Sequence, residues 1–143
     1  MRLITASQTV SFAVKLEDES ARFYEAMSQM YTKHRDVLLS FATENRKNIV
    51  QIERTYYGVV NDAYETCFCF NVDPDEYVLQ AELVNDAGYS QTLDRAIDIE
   101  RKILRFYLNA AEQSKSLLAD IPRTFARIAG KRSAREHTLR SLA

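Results

Sequence analysis

Four stretches of this chain repeat apolar residues at alternating spacings of three and four, and all four turn polar halfway along. That spacing is what a helix needs to bury one stripe. The first stripe runs Val10, Ala13, Glu17, Ser20, Tyr24, Met27, Tyr31, and the second Leu38, Phe41, Asn45, Asn48, Ile52, Thr55, Val59. The third runs Leu93, Ala96, Glu100, Ile103, Tyr107, Ala110, and the fourth Phe125, Ile128, Arg132, Arg135, Leu139, Leu142. A bare charge in a buried seam is expensive, so one misplaced glutamate would argue against the stripe it interrupts. In an antiparallel bundle, however, the four middles lie at similar height. They predict an internal polar layer of Glu17, Glu100, Asn45, Asn48, Arg132 and Arg135, in which the charges balance. The fold class that follows is all-α.

Three Gly and two Pro in 143 residues leave few places to turn, which favours long uninterrupted helices. Helix 1 is expected from about Ser7 to Tyr31, opened by a capping box of Thr5 and Gln8. Helix 2 runs from about Asp36 to Val60, helix 3 from Ser90 to Ser116, and helix 4 from Pro122 to Leu142. Residues 61–89 have no long helical period. Within them "YETCFCF" reads as extended, and Asp73 followed by Pro74 reads as the start of a short helix. The whole chain, 1–143, reads as a single domain of two helical hairpins joined by one long crossover.

The two hairpins resemble each other. At a constant offset of 83, Thr9, Ala13, Glu17, Arg22, Phe23 and Tyr24 match Thr92, Ala96, Glu100, Arg105, Phe106 and Tyr107, without a gap. This looks like a duplicated hairpin. A pseudo-two-fold axis between the copies would set Glu17 opposite Glu100.

The spacing Glu-x5-Phe-Tyr, present twice, resembles rubrerythrin and its ferritin-like relatives, over nearly the whole chain. The resemblance implies a ferritin-like four-helix bundle with one crossover. In that family helices 1 and 3 each supply a glutamate, and helices 2 and 4 each supply Glu-x-x-His, to a di-iron centre in the core. Glu17 and Glu100 match the two single glutamates. On helix 2 the family's Glu and His positions are Asn45 and Asn48, and on helix 4 they are Arg132 and Arg135. Asn is a poor neutral ligand, and a guanidinium has no lone pair to give a metal. Arginine does pair bidentately with carboxylates. The expectation is that Arg132 and Arg135 occupy the space of the metals and neutralise Glu17 and Glu100, with Asn45 and Asn48 completing the hydrogen bonds.

The functional expectation is a rubrerythrin-like protein that has lost its di-iron centre, with no cofactor, acting as a non-catalytic scaffold or interaction protein. The alternative is an iron-binding oxidoreductase or iron-handling protein using Glu17, Glu100 and a substitute ligand such as Glu44. Glu44 neighbours Asn45 and is rotated from it by about 100°. His137 lies two residues past Arg135, about 200° round the helix, and is expected to face outward. His34 falls in a turn, and Glu53 and Glu112 on solvated faces. Tyr24 and Tyr107 read as core residues whose hydroxyls are satisfied locally, with a hydrogen bond to a ligand as the other reading.

The formal net charge is −1, which gives no global field toward nucleic acid, although residues 115–143 carry seven Lys/Arg against two Asp/Glu. Arg123, Arg127 and Lys131 make a stripe on helix 4, read as a solvated face or an anion- or partner-binding patch. Cys67 and Cys69 are too few for a disulfide framework or a zinc site and read as reduced thiols. No apolar run is long enough for a membrane span, and the first residues have no signal-peptide core. A cytoplasmic location and a homodimer are expected, with "YETCFCF" either at the dimer contact or packed on its own bundle.

Overall fold

The first helix begins at its capping box: Thr5 Oγ1 accepts from the Gln8 N–H at 3.1 Å, and Gln8 Oε1 accepts from the Thr5 N–H at 3.2 Å. The computed structural model describes residues 2–59, 70–83, 88–115 and 120–143. Among these, four long helices dominate: α1 (Ala6–Met30), α2 (Arg35–Val59), α3 (Tyr89–Ser114) and α4 (Asp120–Ser141). The starts lie one or two residues before those expected. The expected ends of the second and third helices, Val60 and Ser116, lie outside the described residues. His34 makes the sharp turn between α1 and α2, with a positive φ of 60° that few side chains other than Gly adopt freely. It is exposed.

The helices form a bundle. α1 packs along α2 and α3 along α4; α2 then faces α4, and α1 faces α3. Neighbours run antiparallel. Asn45 reaches Arg135 and Thr55 reaches Thr124 across α2 and α4, while Tyr24 reaches Glu100 and Tyr31 reaches Thr92 across α1 and α3. The four stripes point inward. Their described side chains are all buried except Tyr31, Phe41 and Thr55, which are half-buried. Either side of the polar layer the core is apolar. At one end Phe106 meets Phe12, Tyr77, Tyr107 and Phe125 in edge-to-face contacts, an arrangement that favours aromatic quadrupoles.

The short helix expected after Asp73 is a single 3-10 turn, Pro74–Tyr77, in which Asp73 accepts from the Asp75 N–H at 3.0 Å. The chain then extends. Tyr77 and Leu79 are buried while Val78 and Gln80 are exposed, which is the period of an extended segment rather than a helix. Its carbonyls are satisfied by cations of α3: Lys102 donates to the Val78 carbonyl at 3.0 Å and Arg95 to the Glu82 carbonyl at 2.6 Å.

Just before this turn, Leu3 and Val72 form an antiparallel bridge, with N–H to carbonyl distances of 2.8 and 3.1 Å. This ties the N-terminal residues to the connector. Of "YETCFCF" only Phe70 is described, and it is buried. Cys67 and Cys69 lie outside the described residues. No described helix is long and apolar enough to cross a membrane.

Candidate functional site

The inward stripes bring six polar side chains to one level of the bundle. Glu17 comes from α1, Asn45 and Asn48 from α2, Glu100 from α3, and Arg132 and Arg135 from α4. Glu17, Glu100 and Arg132 are 0% exposed. At the centre is the Arg132 guanidinium. Its Nη2 donates to Glu17 Oε2 at 2.5 Å, and its Nη1 donates to Glu100 at 2.9 Å (Oε1) and 2.7 Å (Oε2). One arginine therefore holds two carboxylates, one from the adjoining α3 and one from α1 across the bundle.

Two tyrosines close the layer reciprocally. Tyr24 of α1 donates to Glu100 of α3 at 2.6 Å, and Tyr107 of α3 donates to Glu17 of α1 at 2.9 Å. The expectation of locally satisfied hydroxyls is thus corrected. A tyrosine two turns along a helix from its own glutamate reaches across to the neighbouring one, because antiparallel packing brings that carboxylate level with the hydroxyl.

Asn48 donates to Glu17 Oε1 at 2.9 Å, and Asn45 donates to Ser20 at 2.9 Å. Ser20 also accepts from Arg132 Nη1 at 3.2 Å. It lies on the first stripe, one turn after Glu17, and its small hydroxyl links the α2 amide to the α4 guanidinium.

Arg135 sits nearer the edge. Its Nη1 donates to Asn45 Oδ1 at 2.6 Å and lies 3.6 Å from Glu100. Its Nη2 donates to Glu44 at 2.5 Å. Its guanidinium carbon lies 4.7 Å from the Phe41 ring centre and 5.6 Å from that of Tyr24, within cation–π range. Glu44, considered as a substitute metal ligand, is 38% exposed and spends its carboxylate on Arg135. His137 is exposed and outside the layer.

The electrostatics follow from this arrangement. Glu17 and Glu100 balance Arg132 and Arg135. Burial alone would lower the Arg132 pKa, but the Glu100 and Glu17 carboxylates outweigh it and hold the guanidinium well above its ordinary value. Burial, and next the adjoining carboxylate, push the Tyr24 and Tyr107 hydroxyls well above theirs. Arg132 is thereby held charged, and Tyr24 and Tyr107 are held neutral. Asn48 Oδ1 and the Nε atoms of Arg132 and Arg135 are buried and have no hydrogen-bond partner among the described residues.

A di-iron centre does not fit this donor set. All four carboxylate oxygens of Glu17 and Glu100 already accept hydrogen bonds: Asn48 and Arg132 with Tyr107 on Glu17, Arg132 and Tyr24 on Glu100. The fixed cation between them would repel a metal. Among the described residues, no three His, Cys, Asp or Glu side chains are grouped to hold an ion. Compared with protein-family models, with curated proteins and with solved structures, the chain matches none.

Proposed function

We propose that this chain is a ferritin-like, rubrerythrin-like bundle, built from a duplicated hairpin, whose di-iron centre has been replaced by an arginine-centred polar layer. On this reading it works as a non-catalytic scaffold or interaction protein. The observation that carries the reading is the Arg132 guanidinium bonded to both Glu17 and Glu100. Two glutamates from opposite hairpins converge as metal ligands would, yet the group between them cannot ligate.

The reciprocal Tyr24–Glu100 and Tyr107–Glu17 bonds, between equivalent positions of two motifs offset by 83 residues, support the duplication. The three unpartnered buried polar atoms support descent from another use. Each such atom costs about 1–3 kcal/mol if water does not reach it, so a layer selected for stability alone has little reason to keep them. Complete burial of Glu17, Glu100 and Arg132 also keeps substrate from the layer unless the helices part.

The test is elemental analysis of protein expressed with iron supplied. Iron far below one atom per chain is expected. Close to two atoms per chain, with an oxo-bridged absorption band, would overturn the proposal and return the chain to the iron-binding oxidoreductases.

A further inference from the structure

The core layer uses two of the cations of α4. The others face outward, and α2 sets more cations beside them. Two adjoining cavities lie along the α2–α4 face. The larger, about 660 Å³, is lined by Thr43, Arg46, Lys47, Val50, Gln51, Arg54 and Lys131. The smaller, about 300 Å³, is lined by Arg54, Thr55, Gly58, Asp120, Arg123, Thr124 and Arg127. Arg54 belongs to both.

Most surface cations elsewhere are spent. Lys15, Arg22, Arg101, Lys102, Lys115 and Arg140 are in ion pairs. Arg46, at the end of the groove, pairs with Asp18 and Glu25 of α1. By contrast Lys47, Arg54, Arg123, Arg127 and Lys131 are exposed and make no ion pair or hydrogen bond among the described residues. Leaving five like charges along one groove is unfavourable without a counter-charge. One carboxylate, Asp120 at the start of α4, lines the smaller cavity, and among the described residues none lines the larger.

We infer that this groove binds a polyphosphorylated ligand. The two compartments differ in chemistry. The smaller gathers three arginines, whose planar forks suit phosphate oxygens, with two threonine hydroxyls. Those hydroxyls lie 3.2 Å apart and bond each other, so one of the two hydrogens stays free to donate. Along α4, Arg123, Arg127 and Lys131 follow one another at about 6 Å per four residues, which presents a charge to each part of an extended phosphate chain. The larger compartment has an apolar floor at Val50, which is 54% exposed, and an amide at Gln51. Its size falls within the range of small-molecule sites, and it suits the organic body of a phosphorylated molecule. This inference rests on the outer face alone and does not depend on the history of the core.

Calorimetric titration at about 150 mM salt, where only close charge contacts persist, tests it. The probes are adenosine triphosphate, for an organic source, and inorganic tripolyphosphate, for an inorganic one. Saturable binding of both is expected, tighter for the nucleotide. Equal or tighter binding of tripolyphosphate supports the site and assigns it to the inorganic chain. Arg54→Glu and Arg127→Glu should each weaken binding about tenfold or more. Arg105→Glu, which reverses an exposed cation on α3 that also has no ion pair among the described residues, should leave it unchanged. Circular dichroism is expected to show all three variants folded, since each site is exposed. No saturable binding of either probe would overturn the inference, as would affinities unmoved by the Arg54 and Arg127 variants. Tighter binding of a poly-glutamate peptide than of either phosphate would also overturn it, in favour of an acidic protein partner.

Discussion

Tyr24 of α1 donates its hydroxyl hydrogen to Glu100 of α3 at 2.6 Å. The same motif on α3 returns the bond, from Tyr107 to Glu17. Each is a buried hydrogen bond to a charged acceptor, worth about 1.5–3 kcal/mol. Tyr24→Phe and Tyr107→Phe should therefore each lower stability by about that amount, and by similar amounts. Urea unfolding of the single variants measures this. A large cost for one and none for the other would show that the layer does not share its load between the hairpins.

The raised hydroxyl pKa values give an alkaline signature. Both tyrosines are held protonated in the fold by burial and by the neighbouring carboxylates. In the unfolded chain they ionise near pH 10. The stabilisation is thus fully present below pH 10 and is lost as pH rises above it, by about 1.4 kcal/mol per pH unit for each tyrosine. Between pH 9 and 11 the wild type should lose stability more steeply than a Tyr24→Phe/Tyr107→Phe double variant. Parallel losses would mean that these hydroxyls ionise as readily folded as unfolded.

Arg132 compensates two carboxylates at once. Its removal leaves Glu17 buried without an ion pair and Glu100 with only Arg135 at 3.6 Å, so Arg132→Ala should cost about 3–5 kcal/mol and lower the Tm by roughly 10–20 °C. Glu17→Gln should cost less, because the arginine keeps Glu100 and the glutamine keeps an acceptor. Thermal unfolding followed by helical circular dichroism ranks the two. An unchanged Tm for Arg132→Ala would remove the arginine from the centre of the account.

Glu44 provides the contrast. Its carboxylate is 38% exposed and faces Arg135 at the edge of the layer. Partly solvated pairs contribute about 0–1 kcal/mol, so Glu44→Gln should shift the unfolding midpoint little. Raising salt should narrow even that difference. A loss as large as that of Arg132→Ala would place Glu44 inside the layer.

Much of this architecture was legible because helices carry a period. The stripes through Glu17, Asn45, Glu100 and Arg132 turned inward as counted, and Thr5 and Gln8 capped α1. What could not be read was the lateral partnership. Spacing along α1 places Tyr24 below Glu17, but only antiparallel packing against α3 decides that its hydroxyl meets Glu100. Ser20 was visible on the stripe, yet its role in joining Asn45 to Arg132 depends on three helices meeting at one height. The helix-start signal at Asp73 and Pro74 yields one 3-10 turn, but its early end depends on tertiary contacts with Lys102 and Arg95 that no local signal reveals. The stripe Arg123, Arg127 and Lys131 was apparent on α4. Its continuation through Lys47 and Arg54 of α2 was not, since nothing in sequence says which helix lies beside it.

The central claim is that arginine stands where a metal pair would be held, and a cobalt titration followed by visible absorption tests it most directly. The wild type is compared with an Asn45→Glu/Asn48→His/Arg132→Glu/Arg135→His variant, whose folding is checked by circular dichroism with cobalt present. The account predicts no cobalt bound by the wild type and about two ions per chain bound by the variant, the complement of a carboxylate-bridged site. Two ions bound by the wild type, or none by a folded variant, would contradict it.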